Sequence, residues 1–341
     1  MVNDRVEGYD YSSNSQAEPR FSKDYMKSVV ITGCAGFIGG YVAREFLNAG
    51  YKVMGIDVMT YAHNPDTLAE LRKHQHFEFH PVNIIVGTAI ELFLKTHPAE
   101  WIINLAAETH VDNSIKNCKP FIQTNIIGVQ QLCEVCKNTG CKLLQFSTDE
   151  VYGVAGDYSF TEESPLDASN PYSGTKAAAD HMIQAYANTY GVEYIIVRPS
   201  NNFGIGQHEE KFLPTILRKL NSKKEKIPVY GKGDQIREWT HARDTAAATR
   251  YILEHSPVNE IYNISSGFHT ENMNVVKTVC KSLGLRVEDV VEHVTDRLGH
   301  DFKYSVSADK LKALGFEIES RFQDDIEEII DHEFDRVRHS S

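Results

Sequence analysis

The sequence predicts a doubly wound α/β protein with a mostly parallel sheet, and three observations predict it. Short β-branched, apolar runs alternate with stretches of helical periodicity from residue 28 to residue 198. Such runs spaced by helices make βαβ units, whose strands are covered on both faces. A glycine-rich turn follows the first run and opens the first helix, where such a fold places its ligand crevice.

Taken in order, strands are expected at 28–32, 52–57, 77–82, 101–106, 142–147 and 193–198, with helices at 36–49, 121–138 and 172–190. This part, 27–200, reads as one domain. Beyond residue 200 the pattern loosens, with more Gly, Pro, Asn and charge; Tyr230-Gly-Lys-Gly-Asp and Asn263-Ile-Ser-Ser-Gly read as turns. Residues 201–341 are therefore expected to form a smaller, irregular α/β lobe, interleaved with the first domain. The stretch 324–334 repeats apolar residues at helical spacing and predicts a surface helix with one buried stripe. Residues 1–26 are polar, lack the apolar core of a secretory signal and read as a flexible leader.

Composition excludes several function classes. The chain has 341 residues, enough for about two domains. Its net charge of −12 gives no long-range attraction to nucleic acid or an anionic membrane. Any phosphate-bearing ligand has to be held by a few local cations. No run approaches the ~20 apolar residues of a membrane span. Six cysteines do not suggest a disulfide framework, so a reducing compartment, the cytoplasm, is expected. Cys133 and Cys136 form a CxxC inside an amphipathic helical pattern and read as packing residues; no metal-ligand set is expected.

The segment Thr32-Gly33-Cys34-Ala35-Gly36-Phe37-Ile38-Gly39 places three glycines between strand and helix. Gly33 permits the turn, Gly36 lets backbone approach a pyrophosphate, and Gly39 allows close helix–strand packing, as in a Rossmann-type dinucleotide site. Asp57, ending the second strand, is placed to accept hydrogen bonds from a ribose diol and would repel a 2′-phosphate. The cofactor expected is NAD rather than NADP.

Tyr172 and Lys176 stand at i and i+4 on one face of a predicted helix. A lysine cation beside a tyrosine is expected to lower the phenol's pKa toward the working range. At the end of the fifth expected strand, Ser147-Thr148-Asp149-Glu150 brings two adjacent carboxyls to the crevice edge. Eliminating water needs a base for one hydrogen and an acid for the departing hydroxyl, and neighbouring carboxyls with split pKa values divide those tasks.

With these motifs the chain resembles the dTDP-glucose 4,6-dehydratase family of the extended short-chain dehydrogenase/reductase superfamily, from about residue 27 to about 315. Further segments carry the likeness: Leu105-Ala-Ala-Glu-Thr-His-Val-Asp, Arg198-Pro-Ser-Asn-Asn-Phe-Gly, Glu210-Lys-Phe-Leu-Pro, Tyr230-Gly-Lys-Gly-Asp-Gln-Ile-Arg and Asp296-Arg-Leu-Gly-His-Asp. The resemblance implies a hydro-lyase with tightly held NAD, regenerated each turnover. It implies Tyr172 as the base at the sugar O4, Lys176 as its support, Thr148 bonding near O4, Glu150 at C5 and Asp149 as the acid at C6. It also implies that Phe37, Ile38, Thr60, Asn83, Ile84, Ala106, Ala107, Thr124 and Asn202 line the NAD site with the glycines, Asp57, Tyr172 and Lys176. Thr109, Thr148, Asn201, Lys211, Arg237, Asn272 and His300 would hold the sugar nucleotide. A homodimer through helices like 121–138 and 172–190 is implied as well.

The chain departs from the family pattern at Asn83, where Asp is usual, at Asn104, where His is common, and at Asn113, where Arg is common. The nucleotide base therefore stays open, with UDP-glucose or another NDP-hexose as alternatives to dTDP-glucose. A 4-epimerase needs only the Tyr–Lys pair, a UDP-glucuronate decarboxylase usually carries Ser-Glu in place of Asp149-Glu150, and a non-catalytic NAD-binding regulator tends to lose the tyrosine or lysine. The carboxyl pair favours dehydration over the first two, and the retained Tyr172 and Lys176 speak against the third.

Overall fold

The computed structural model of the chain describes residues 26–222, 225–295 and 302–340. Twelve strands run in chain order among the described residues: β1 (Ser28–Thr32), β2 (Lys52–Ile56), β3 (Phe77–His80), β4 (Trp101–Asn104), β5 (Lys142–Phe146), β6 (Tyr194–Pro199), β7 (Asn201–Phe203), β8 (Ile227–Tyr230), β9 (Ile236–His241), β10 (Glu260–Ile264), β11 (His269–Glu271) and β12 (Val291–Val294). Seven of them form one sheet in the order β3-β2-β1-β4-β5-β6-β10, every neighbouring pair parallel. The order reverses between β1 and β4, so the ligand crevice lies beyond the carboxyl ends of those two strands.

The strands are apolar on both faces because each face meets a helical layer. In β1, Val29 and Ile31 join one core, while Val30 between them joins the other, the period-two alternation of a strand. The first core takes Val42 and Phe46 from the helix Phe37–Asn48 and Ala246 and Ile252 from Ala242–His255. The second takes Ile90 and Phe93 from Gly87–Thr96, Leu132 and Val135 from Val129–Thr139, and Ile183 from Pro171–Tyr190. Cys133 and Cys136 lie in this second core. Burial pushes the Cys133 thiol up to about 12.

The later half of the chain contributes to both layers. The helix Ala242–His255 and β10 complete the large sheet, so Asn263, read from sequence as a turn residue, is a buried strand residue. A three-stranded sheet β11-β9-β7 and the pair β12-β8 pack around a separate core with Trp239, Phe203 and Phe322 at its centre. The helix Phe322–Ser340 buries Phe322, Ile326, Ile329 and Ile330 there, one stripe at helical spacing.

The segment expected as a single α-helix over 121–138 is interrupted. Helical turns at Lys119–Phe121 pass into a π-helical stretch, Ile122–Gly128, before Val129–Thr139. The wider turn seats Asn125, whose amide is buried and clamped: it accepts from Glu108 N at 2.9 Å and donates to Glu108 O and Thr175 Oγ1, both at 3.0 Å. Single wide turns of this kind mark functional sites more often than ordinary helix.

Candidate active site

A cavity of about 410 Å³ opens beyond the carboxyl ends of β1, β2, β4 and β5. Its floor is the glycine turn. Gly33 has φ +68°, and a Cβ there would lie 2.7 Å from Ala106 N in the segment after β4. A Cβ on Gly39 would lie 2.0 Å from Gly33 O, so the helix Phe37–Asn48 reaches this close to β1 only without a side chain. Gly36 is its N-cap and supplies no side-chain cap, leaving N–H groups facing the cavity end. Asp57 Oδ2 accepts from Ala35 N at 3.0 Å and Oδ1 from Met59 N at 2.7 Å. One carboxylate thus fixes the glycine turn and the loop after β2, and each oxygen keeps a further lone pair.

Phe37, Ile38, Thr60, Asn83, Ile84, Ala106, Ala107, Thr124 and Asn202 also line the cavity. Asn83 Oδ1 is used locally, accepting from Ile85 N at 3.1 Å. Asn202 Oδ1 and Asn201 Nδ2 are buried without a protein hydrogen bond. The glycine cradle, the helix N-terminus, the carboxylate ending β2 and these unmatched polar atoms together fit NAD.

The reacting groups enter from β5 and the helix Pro171–Tyr190. Thr148 follows β5 with extended backbone, and its hydroxyl caps a 3₁₀ turn, Asp149–Tyr152, accepting from Glu150 N at 3.3 Å. That turn aims the two carboxyls at the cavity, where both line the wall with Thr148 and Tyr172. Thr148 Oγ1 donates to Asp149 Oδ1 at 3.3 Å, while Oδ2 is buried without a partner. Burial first, then the Glu150 charge beside it, push the Asp149 carboxyl well above the usual carboxylate range.

Asn170 begins the long helix with a capping box: its side chain accepts from Ser173 N at 3.0 Å, and Ser173 Oγ accepts from Asn170 N at 3.3 Å. At the second helical position Tyr172 is buried, and its phenol is raised by burial and by Glu150, with a hydrogen bond to Thr148 acting against them. The expected lowering of this pKa by Lys176 is not what the geometry gives. Lys176 Nζ instead donates to Phe146 O at 2.5 Å, beneath the cavity wall. Burial lowers the lysine itself to about 8, opposed by Asp180 one turn further along.

Several supporting residues escaped the sequence reading. A buried polar chain crosses three strands: Thr32 Oγ1 donates to Asn104 Oδ1 at 2.5 Å, Asn104 Nδ2 to Gln145 Oε1 at 2.8 Å, and Gln145 Nε2 to Phe146 O at 2.8 Å. It ends on the carbonyl that receives Lys176. Under the carboxyl pair, Arg198 Nε and Nη2 reach Asp180 Oδ2 at 3.0 Å, Ser147 Oγ donates to the same oxygen at 2.9 Å, and Arg198 Nη1 donates to the Tyr152 hydroxyl at 2.7 Å. Glu238, fully buried, accepts from Ser265 Oγ and from Gly267 N, and its charge is among those raising Asp149. Asn104 stood out in the sequence as a departure, and Thr32, Ser147 and Arg198 stood in quoted motifs, but nothing in the sequence paired them.

The residues expected to hold the sugar nucleotide divide. Thr109, Asn201 and Lys211 line the cavity, and Lys211 Nζ donates to Thr109 O at 3.2 Å. Arg237 and Asn272 do not line it. Arg237 Nη1 donates to Ile236 O at 2.8 Å, and its guanidinium lies over the Tyr304 ring, 4.6 Å from the centroid. Asn272 begins a helix of the second lobe, with its N–H on Gln235 O at 3.0 Å. His300 lies outside the described residues, as does the leader apart from Met26.

Residues 29–265 match the NAD dependent epimerase/dehydratase family. The chain is 39% identical over 306 residues to the low-salt glycan biosynthesis protein Agl12 of Haloferax volcanii, covering 89% of this chain and 97% of that one. It is 36% identical over 326 residues to a dTDP-glucose 4,6-dehydratase of Xanthomonas campestris, covering 90% and 93%. The fold superposes on DesIV, a dTDP-glucose 4,6-dehydratase of Streptomyces venezuelae solved with NAD bound, with a TM-score of 0.87 at 33% identity, covering 92% and 98%. The chain belongs to the NAD dependent epimerase/dehydratase family and to its dTDP-glucose 4,6-dehydratase branch: it is an NAD-dependent sugar-nucleotide dehydratase, a hydro-lyase.

Proposed function

We propose that this sugar-nucleotide dehydratase converts dTDP-glucose to dTDP-4-keto-6-deoxyglucose. The observation that carries the reading is the Asp149–Glu150 pair, one carboxyl buried and shifted toward its acid form, the other beside it at the cavity wall near Tyr172. An acid and a base adjacent on one rigid turn serve an elimination; a 4-epimerase has no use for them.

NAD, held by the glycine turn, Asp57 and the loops after β3 and β4, supplies reversible hydride acceptance, from C4 and back at C6. Tyr172, bonded to Thr148, takes the proton from the O4 hydroxyl. The ketone formed at C4 acidifies C5–H, which without that ketone is far too weakly acidic for a carboxylate to remove. Glu150 takes that proton, Asp149 gives its own to the C6 hydroxyl, and water leaves with formation of a C5–C6 double bond. Glu150 then returns its proton to C5. The proton gained by Tyr172 balances the one lost by Asp149, and the net change is loss of one water.

Thr109, Asn201 and Lys211 support a pyrophosphate-bearing substrate in this cavity, and Arg237 and Asn272 are proposed to reach it from the second lobe. The exposed Ile122, Ile127 and Tyr190 on the two long helical segments support a homodimer through those helices. The test is incubation of the purified chain with dTDP-glucose and, separately, UDP-glucose, following loss of water by mass spectrometry. Faster dehydration of dTDP-glucose is expected; faster dehydration of UDP-glucose reassigns the base. Loss of water from neither overturns the reading.

A further inference from the structure

Glu78 and His80 stand two residues apart on β3, so the strand's period of two puts both on one face at the sheet edge. His97, ending the helix Gly87–Thr96, returns its ring to the same place. Glu78 Oε2 lies 3.8 Å from His80 Nε2 and 3.7 Å from His97 Nε2, and the three donor atoms fall within 4.8 Å of one another. With ligand bonds of about 2.0–2.2 Å, tetrahedral zinc would set its donors roughly 3.3–3.5 Å apart, and the two carboxylate–imidazole separations are within a few tenths of an ångström of that.

The rings are already oriented. His97 Nδ1 lies 2.8 Å from Thr96 Oγ1 and 3.2 Å from Phe93 O, and Nε2 on the other side of the ring faces Glu78. A ligating histidine is held in this way by a carbonyl on its second nitrogen. Phe93 stacks on His97 at 4.4 Å and packs on His80 at 4.6 Å, giving the pair an apolar wedge. His80 Nε2 is buried and makes no hydrogen bond. Lys52 Nζ holds the other carboxylate oxygen, Oε1, at 2.8 Å, leaving Oε2 turned to the imidazoles.

We propose that Glu78, His80 and His97 form a site for a divalent transition-metal ion of the zinc class, with a fourth position open to water. The ion ties β3 to the helix Gly87–Thr96, and the residues just after β3, Val82, Asn83 and Ile84, line the main cavity. Its role is structural, remote from the reacting carboxyls, and does not depend on which sugar nucleotide is dehydrated.

Full-length chain stripped with a chelator is titrated with Zn²⁺ against a chromophoric chelator, and with Co²⁺ while its visible spectrum is read. One equivalent of zinc and a tetrahedral cobalt band are expected for the parent chain. His80→Gln/His97→Gln is expected to lose both, and Glu78→Gln to bind at least about tenfold more weakly. His74→Gln/His76→Gln, altering the neighbouring surface histidines, is the control and is expected to bind as the parent does. Equal zinc binding by the parent, His80→Gln/His97→Gln and Glu78→Gln overturns the assignment, as does loss of the site in the control. Failure of His80→Gln/His97→Gln to melt cooperatively moves the decision to Glu78→Gln, which keeps the side-chain volume.

Discussion

The two walls of the cavity are built differently. One is made from strand ends and the first turns of helices: Gly33 after β1, Asp57 after β2, Thr148 to Glu150 after β5, and Tyr172 in the first turn of its helix all reach the cavity. The other comes from the second lobe, where Asn201 and Lys211 reach it but Arg237 and Asn272 do not. A parallel sheet brings the ends of consecutive strands to one edge whatever side chains they carry, so position along the chain nearly decides position in the site. A residue of the second lobe reaches the cavity only through a long side chain and through how two cores pack. Arg237 illustrates it: its guanidinium is engaged by Ile236 O and the Tyr304 ring.

The largest effect is expected at the first wall. Tyr172→Phe removes one oxygen that bonds Thr148 and faces the cavity. Loss of acid–base catalysis at such a position lowers turnover by about 10²–10⁴-fold. NAD content of the purified variant is expected to stay at the parent level, because the glycine turn and Asp57 are untouched. An unchanged kcat would remove Tyr172 from the chemistry and with it the distinction between a reacting wall and a binding wall.

Next is the framework under that wall. Asp180 is fully buried, and its Oδ2 receives Ser147 and two nitrogens of Arg198. Asp180→Asn leaves the Arg198 cation buried without its counter-charge, at a cost of about 3–5 kcal/mol. Denaturant unfolding checks this, and a loss below about 1 kcal/mol would mean that the turn carrying Asp149 and Glu150 stands without the ion pair.

Legibility in the sequence follows the same division. The glycine turn and Asp57 could be read because backbone geometry fixes their spacing, and Tyr172 and Lys176 because a helix fixes i and i+4. What Lys176 bonds to could not be read: its acceptor is a backbone carbonyl, which leaves no residue signature. Nor could the Thr32–Asn104–Gln145 chain, which exists only because β1, β4 and β5 are neighbours although far apart in sequence. The π-helical turn at Asn125 was hidden for a similar reason, since its cause is a clamp onto Glu108 and Thr175. Beyond residue 200, β10 was missed because Asn263 is a poor strand former held there by tertiary bonds, accepting from the Tyr152 hydroxyl and donating to Phe160 O.

A smaller effect is expected on the second wall. If Arg237 engages the substrate diphosphate, Arg237→Ala loses a charge-assisted hydrogen bond worth about 1.5–3 kcal/mol. KM for the sugar nucleotide then rises about ten- to a hundredfold while kcat and NAD content change little. Steady-state kinetics with a spectroscopic NAD count separates the outcomes. A fall in NAD content would show that the walls are not independent; an unchanged KM would leave Arg237 as a prop for Tyr304.

The smallest effect, about twofold at its midpoint, is in pH. Burial lowers Lys176 to about 8, so its ammonium is present at neutral pH and half lost near pH 8. If the charge supports a Tyr172 phenolate, turnover falls on the alkaline side with that midpoint, while Asp149 is raised well above the ordinary carboxylate range. Unfolding is the competing explanation for such a fall, and the sign of the linkage excludes Lys176 as its cause. Its folded pKa lies below the ordinary lysine value of about 10.4, so between pH 8 and that value the unfolded chain binds more protons. The lysine's contribution to stability therefore rises with pH over the window in which activity falls. Melting temperatures measured beside the rate profile make the distinction: activity lost near pH 8 with the melting temperature maintained assigns the limb to Lys176, and a parallel fall in both assigns it to the fold.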